Sequence, residues 1–413
     1  MSIQPSSDLG WLSGSATEAA AKKMRQLKTE GKDVIDLTQG RPEPPDFPVP
    51  EGLKLGEKEA IRKNKSMYTP VAGIDELREV LAEQFSDELG VPYTKKEILV
   101  SSGGRVLLKL ALQVLIDKHD GQDEVLYATP AWPAYTQLIK SLGGRPIPIK
   151  LKHPFKLKYE DIAHRLQDVR IACILLNTPN NPTGAIIDPE ELEKIAKAIE
   201  ERDRLGGMRK PVALILDWLY RDIVFNRSAK TIVSVNKSFQ DRTIVIDGAS
   251  KTYNATGLRI CYAAGPRQLI EAMTKIQSLE SGNANSRAQY GLLAALTKYK
   301  KETERELGIF WRRYKKRRDC AFKELSKSSR LEPLRPEGTF YIWVKIPVGF
   351  GMRYQADRQW VQALLEQKHV GVIAGDDFGC PGYIRLSLAT SMKNVREGVR
   401  RIREFAEENQ SPT

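Results

Sequence analysis

From about residue 70 onward, short apolar runs alternate with longer stretches in which apolar positions recur at helical spacing. The runs Ile98–Val100, Glu124–Tyr127, Ile171–Asn177, Val212–Asp217, Thr243–Asp247 and Ile260–Ala264 are aliphatic or β-branched on both faces. That pattern predicts strands buried on both sides of a parallel sheet. Between them lie helical patterns such as residues 189–204, opened by Asp188 as N-cap, Pro189 at the first position and two glutamates. The alternation predicts an α/β fold, a large doubly wound and mostly parallel sheet, with ligands gathered at the carboxyl ends of the strands.

The flanks differ in character. Residues 1–20 read as an extended arm, Thr17–Thr29 as a helix, Val34–Leu37 as a strand and the proline-rich Arg41–Pro48 as a connection between two bodies. Past about residue 300, a long charged helix (302–327) leads into Pro336–Tyr341, a short strand, a helix over 357–369 and a terminal helix from Lys393. These predict a smaller α+β domain. The expected division is 1–45 for the arm and part of the small domain, 46–298 for the large domain and 299–413 for the small C-terminal domain.

Charge changes this picture little. The net charge of +13 allows nucleic acid, an anionic surface or an anionic small ligand as partner. Most Lys and Arg are interspersed with Asp and Glu, and the densest run, Arg312–Arg318, reads as the solvated face of one helix. No zinc-finger spacing or aromatic-interleaved basic stripe points to nucleic acid, and no metal-ligand spacing is present. The four cysteines, Cys173, Cys261, Cys320 and Cys380, are unpaired in spacing, as expected in a reducing compartment. No basic start followed by an apolar core marks a signal peptide, and no apolar run is long enough to span a membrane. A cytoplasmic location is the expectation.

Four strand ends carry candidate chemistry. Ser101-Ser-Gly-Gly-Arg105 precedes an apolar helix, so a glycine turn and free N–H groups could receive a phosphate; the same turn is also ordinary punctuation. Asp217 ends a buried strand with Tyr220 three residues on, a pair able to hold a protonated ring nitrogen and a ring oxygen, or simply to cap a loop. Lys251 follows the strand at Thr243–Asp247, with Arg259 eight residues later. A buried lysine can serve as a Schiff-base nucleophile and an arginine as a phosphate fork; a surface lysine is the plainer alternative. Arg385 sits mid-strand in Tyr383–Ser387, suited to a carboxylate or to a structural ion pair.

Their order along the chain resembles a known family. Asn177–Gly184 (Asn-Thr-Pro-Asn-Asn-Pro-Thr-Gly), Asp217-Trp-Leu-Tyr220 and Ser250–Arg259 (Ser-Lys-Thr-Tyr-Asn-Ala-Thr-Gly-Leu-Arg) are similar to signatures of the class I/II aminotransferases, the aspartate aminotransferase-like enzymes of pyridoxal-phosphate (PLP) fold type I. Further similarities are Tyr68–Gly73 with Leu77-Arg78, Pro130–Tyr135, Pro336–Tyr341 and Gly375–Gly379 ahead of Arg385. The resemblance covers nearly the whole chain, from about Thr17 to the last helix.

The resemblance implies a PLP-dependent aminotransferase that moves the amino group of an α-amino acid to a 2-oxo acid. Lys251 would hold pyridoxal 5'-phosphate as a Schiff base and shuttle the Cα proton. Asp217 would pair with the ring nitrogen, Asn181 and Tyr220 with the ring 3-oxygen, and Trp132 would stack on the ring. Gly104, Arg105, Ser250 and Arg259 would hold the phosphate. Arg385 would bind the substrate α-carboxylate under the backbone of Gly40, with Asn181 beside it. Tyr68 would reach the phosphate of a neighbouring subunit, which implies a homodimer with shared active sites. A lyase, a synthase or an oxygen-using oxidase on the same fold is the alternative, since these differ only in where the carbanion's electrons go.

Three departures from the family pattern bear on substrate rather than cofactor. The usual Gly-Glu-Pro-Asp-Phe reads Gly40-Arg41-Pro42-Glu43-Pro44, and an arginine there favours an acidic side chain or is merely solvated. Trp218 replaces a polar neighbour of the strand-end aspartate, altering the pocket or packing beneath it. Ala284 stands where relatives carry proline, with Asn283 and Asn285 as candidates to touch a partner's phosphate.

Overall fold

The computed structural model describes residues 16–205, 211–225, 228–349 and 351–409. Seven strands make the large sheet: β1 (Ile98–Ser101), β2 (Glu124–Thr129), β3 (Arg145–Lys150), β4 (Ile171–Asn177), β5 (Ala213–Asp217), β6 (Thr243–Gly248) and β7 (Cys261–Ala264). Their order is β1-β7-β6-β5-β4-β2-β3. Every neighbouring pair is parallel except those made by β7, which runs antiparallel to both β1 and β6. The sheet is thus mostly parallel rather than wholly so.

Strand residues alternate between two faces, and here both are covered. Leu126, Ile174, Leu176, Leu214, Leu216 and Val245 join one core; Val125, Cys173, Leu175, Ile215, Ile244 and Ile246 join the other. That is why these strands lack polar alternation. The sequence reading passed over β3 because Pro146 and Pro148 lie inside it. Pairing only with β2, it is an edge strand, where a missing N–H is tolerated.

A four-stranded antiparallel sheet, ordered Ile373–Ala374, Tyr383–Ser387, Tyr341–Lys345 and Glu332–Leu334, forms the second layer. Helices Lys300–Leu325, Asp357–Lys368 and Met392–Glu408 accompany it. Its core takes in Ile35 and Leu37 along with Ile342, Trp360, Leu386 and Ile402. Ile35–Asp36 pairs in parallel with Val370–Gly371, so the early chain packs with the late chain. The first helix begins at Ala16, inside the stretch expected to be an extended arm; residues 1–15 of that arm lie outside the described residues.

The expected solvated face of the long helix is corrected as well. Arg317 and Arg318 are only 3% and 1% exposed. Arg317 lies 2.8 Å from the Asp46 carboxylate, donates to the Thr390 carbonyl at 2.8 Å and covers the Phe47 ring. Arg318 forks onto Asp319 over the Phe225 ring. The reason is the proline-rich connection, which lies across this helix: Phe47 stacks on Tyr314 at 4.2 Å, and Arg313 donates to the Asp46 carbonyl. Arg317→Met should therefore lower stability by about 2–3 kcal/mol in urea unfolding, since charged hydrogen bonds are lost and an aspartate is left alone. Arg312→Met on the same helix, at an exposed position, should change it far less.

Candidate active site

Parallel strands side by side place their carboxyl ends together, and four of the candidate segments meet there. Gly40, Gly104, Arg105, Trp132, Asn181, Asp217, Tyr220, Ser250, Lys251, Arg259 and Arg385 all line one cleft of about 500 Å³. Tyr68 does not. It is 95% exposed at the surface, next to Met67 at 78%.

Lys251 owes its place to the turn after β6. Gly248 lies so close to β7 that a Cβ would fall 2.3 Å from Cys261 Sγ and 2.7 Å from its Cα, so the two strands can close only over glycine. The short helix Ala249–Thr252 follows, and Lys251 extends from it to donate a hydrogen bond to the Gly40 carbonyl. The rings of Tyr220 and Phe340 stand 5.7 and 5.8 Å from its Nζ.

Asp217 ends β5 and is buried, 4% exposed. Burial pushes its carboxyl above the ordinary range, opposed by the Tyr135 hydroxyl, the Leu219 N–H and the charge of Lys251. The Tyr135 hydroxyl donates to Oδ2 at 2.5 Å. Tyr220, also buried, shares a 3.0 Å hydrogen bond with the Tyr341 hydroxyl, and burial holds its phenol far above its usual value.

At the end of β1, Gly103 takes φ +119, and a Cβ there would meet the Arg259 guanidinium at 2.3 Å. A Cβ already present at Gly104 would instead meet Leu219 at 2.8 Å. The turn thus leaves the N-terminus of helix Gly104–Leu115 opening into the cleft beside an arginine, a seat for an anion. Ser250 Oγ lies 3.5 Å from Cys261 Sγ. Arg105 rests over the Trp132 ring at 5.1 Å.

On the opposite wall, Arg385 Nη1 donates to Asn181 Oδ1 at 3.2 Å and Nη2 to the Thr38 carbonyl at 2.7 Å, while its buried Nε has no hydrogen-bond partner. Its guanidinium covers the Tyr341 ring at 4.2 Å. Asn177 holds Asn181 from below, accepting its N–H at 2.8 Å and donating to the Asp217 carbonyl at 3.0 Å.

Two site residues had no role assigned from the sequence: Tyr135, partner of Asp217, and Tyr341, partner of Tyr220 and platform for Arg385. Both sit inside motifs quoted above, but nothing in a lone tyrosine's spacing says which buried group its hydroxyl meets. Trp218 packs beneath the site in the core and does not line the cleft. Asn285 caps helix Ser286–Leu296, accepting the Ala288 N–H at 3.1 Å, and Asn283 donates to the Ala284 carbonyl. Among the described residues no cluster of His, Cys, Asp and Glu could hold a metal.

A carboxyl whose pKa is raised by burial favours the folded state when protonated and costs stability as pH rises from its ordinary value of 3.8 through its folded value. Asp217→Asn should accordingly raise the melting temperature of the ligand-free protein at neutral pH, with the gain vanishing near pH 3.8 and below. Calorimetry at the two pH values checks this.

Comparison with known proteins agrees with this geometry. Residues 32–402 match the family described as aminotransferase class I and II. A probable aspartate/prephenate aminotransferase of Aquifex aeolicus is 35% identical over 402 residues, 96% of this chain and 97% of the relative. The aspartate aminotransferase of Bacillus subtilis is 30% identical over 96% of this chain and 98% of its own. The aspartate aminotransferase of Thermus thermophilus with maleate superposes with a TM-score of 0.88 at 30% identity, covering 98% of this chain and all (100%) of the other.

Proposed function

The chain belongs to the class I and II aminotransferases, PLP-dependent enzymes of fold type I, and from that premise we propose that its amino donor is an acidic α-amino acid and that Lys251 is its reactive amine. The observation that carries the first part is the charge of the cleft. Arg41, Arg105, Lys251, Arg259 and Arg385 line it against Asp217 as the one carboxylate among the lining residues. A cofactor phosphate on Arg105 and Arg259 and an α-carboxylate on Arg385 leave Arg41 for a second carboxylate. Relatives named for aspartate or aspartate/prephenate, and a neighbour described with the dicarboxylate maleate, support the same reading.

Three features support the fit of pyridoxal 5'-phosphate. The Gly103-Gly104 turn is a cradle that a Cβ would fill. Asp217 is a buried carboxylate whose hydrogen bonds, among the described residues, come from neutral groups, the Tyr135 phenol and the Leu219 N–H, so a protonated ring nitrogen would relieve its burial. Arg385 carries an unpartnered buried Nε. When bound, the cofactor supplies a carbonyl that condenses with amines and a ring that delocalises the electron pair left at Cα.

The residues divide the remaining work. Asp217, held in place by Tyr135, would keep the ring nitrogen protonated. Asn181 and Tyr220 would hold the 3-oxygen, Trp132 would cover the ring, and Gly104, Arg105, Ser250 and Arg259 would hold the phosphate end. Arg385 fixes the α-carboxylate, with Asn181 and the Thr38 carbonyl orienting its fork. The Lys251 amine would take the proton from Cα, hold it on Nζ and give it up again, acting as base and then acid. The Gly40 carbonyl, which it already contacts, steadies the amine. Tyr68, with its exposed ring, serves the cleft of a second copy, so the working unit is a homodimer in the cytoplasm. The exposed Met67 beside it and the unpaired cysteines support this arrangement. Residues 46–298 form the cofactor-binding domain and the two flanks the smaller one.

Titrating the holoenzyme's visible spectrum with a panel of amino acids, under nitrogen and then air, tests the reaction and the donor. Stoichiometric conversion in both gases by aspartate or glutamate, absent in Lys251→Ala, is expected. Sustained ammonia release would overturn transamination, and equal response to leucine would overturn the acidic donor. Arg41→Ala should raise KM for the acidic donor about tenfold or more, as loss of a charged hydrogen bond does, with little effect on a neutral one. Light scattering should give twice the chain mass; a monomer that is fully active would refute the shared site.

A further inference from the structure

Immediately beneath the site lies an ion cluster, buried at Arg221 and Asp247 and exposed at Asp222 and Glu88, that the assignments above leave without a task. β5 and β6 are parallel neighbours, with Asp217 opposite Ile246, so the turns that leave them lie side by side. One turn carries Tyr220-Arg221-Asp222; the other carries Asp247 ahead of Lys251 and Thr252 directly after it. Tyr220 faces the cleft, but Arg221 turns away beneath it and is buried.

Arg221 Nε lies 2.6 Å from Asp247 Oδ2, a charge contact rather than an aligned hydrogen bond. Its other end pairs with Glu88 at the end of helix Asp75–Leu89, and its plane covers the Trp218 ring at 5.2 Å. Asp247 in turn accepts the Gly248 N–H at 2.6 Å and the Tyr262 hydroxyl at 3.3 Å, which fixes the entry to the helix that carries Lys251. Asp222 accepts the Thr252 hydroxyl at 3.1 Å and lies 3.4 Å from Arg221. The two residues after Tyr220 are thus linked to the residues on either side of Lys251.

We propose that Arg221 and Asp222 are positioning residues: with Asp247 and Thr252 they form a two-link clamp that sets the placement of the Tyr220 hydroxyl relative to the Lys251 amine. The inference rests on Lys251 and Tyr220 acting as described above. A buried ion pair is a poor source of net stability, because desolvation offsets most of the attraction; an apolar pair of similar volume would hold the turns together at least as well. What an apolar pair would lack is directional contact at both ends. Here each link joins one turn to the other at a defined atom. Burial lifts the Asp247 carboxyl to about 6 while the Arg221 charge opposes the rise, so at neutral pH the first link is an ion pair.

The test uses holoenzyme variants that spare the fold. Arg221→Lys keeps a cation beneath the site but loses the forked reach to Asp247 and Glu88 together; Thr252→Val keeps the shape and loses the second link. Three quantities are read: the pH midpoint of the visible band of the Lys251–cofactor linkage, the split between kcat and KM, and the melting temperature. Each variant should move the midpoint by about half a pH unit or more and lower kcat about tenfold with KM within about twofold, as a misplaced reacting group does. The double variant should show the largest change. A midpoint and kcat unchanged in both variants, whatever the melting temperature does, would overturn the clamp. Should Arg221→Lys fail to fold, Thr252→Val decides alone. If the wild-type band survives in Lys251→Ala, the assignment of Lys251 has failed rather than the clamp.

Discussion

A carboxylate held out of water at the end of a central strand organises this protein. Asp217 is buried and accepts the Tyr135 hydroxyl, and the other charged residues that line the cleft it faces are cations. Burying such a group costs free energy unless a cation meets it. Lys251, whose charge favours the carboxylate, is itself engaged by the Gly40 carbonyl. The site is therefore built around a carboxyl whose burial its own hydrogen bonds only partly offset, and the folded protein carries that cost.

The parallel sheet makes that economical to build. β1, β4, β5 and β6 deliver the phosphate turn, the Asn181 loop, Asp217 with Tyr220, and Lys251 to one rim without long excursions of the chain. Each strand end needs only a local adaptation, such as Gly248 where β6 and β7 close, or Gly103 where the turn approaches Arg259. The opposite wall comes from the second sheet through Arg385 and from the early chain through Thr38 and Gly40.

The connection at residues 41–48 joins the two. Asp46 is gripped by Arg313 and Arg317, Glu43 accepts the Thr390 hydroxyl at 2.9 Å, and Asn254, three residues past Lys251, donates to the Pro48 carbonyl. The long helix thus reaches the site through a proline-rich strap, and Arg317 is buried because the strap covers it. Its charge, which looked like solvent-facing surface, is structural.

Much of this was legible in the chain. Six of the strands were readable because a strand buried on both faces is written as an unbroken apolar run, and residues that line the cleft were readable because they recur at short local offsets after those strands, as in Ser250–Arg259 or Asp217 to Tyr220. β3 was not, since proline tolerance depends on being at an edge, and edge position is a property of the sheet. Nor could spacing reveal that Tyr135 meets Asp217 across 82 positions, that Arg385 reaches Thr38 across 347, or that Arg317 is buried. By itself the sequence determined the local offsets and the periodicities. Only the tertiary structure decided which distant groups share a low-dielectric space, and there the same arginine or tyrosine becomes a solvated ornament, an anchor or part of the site.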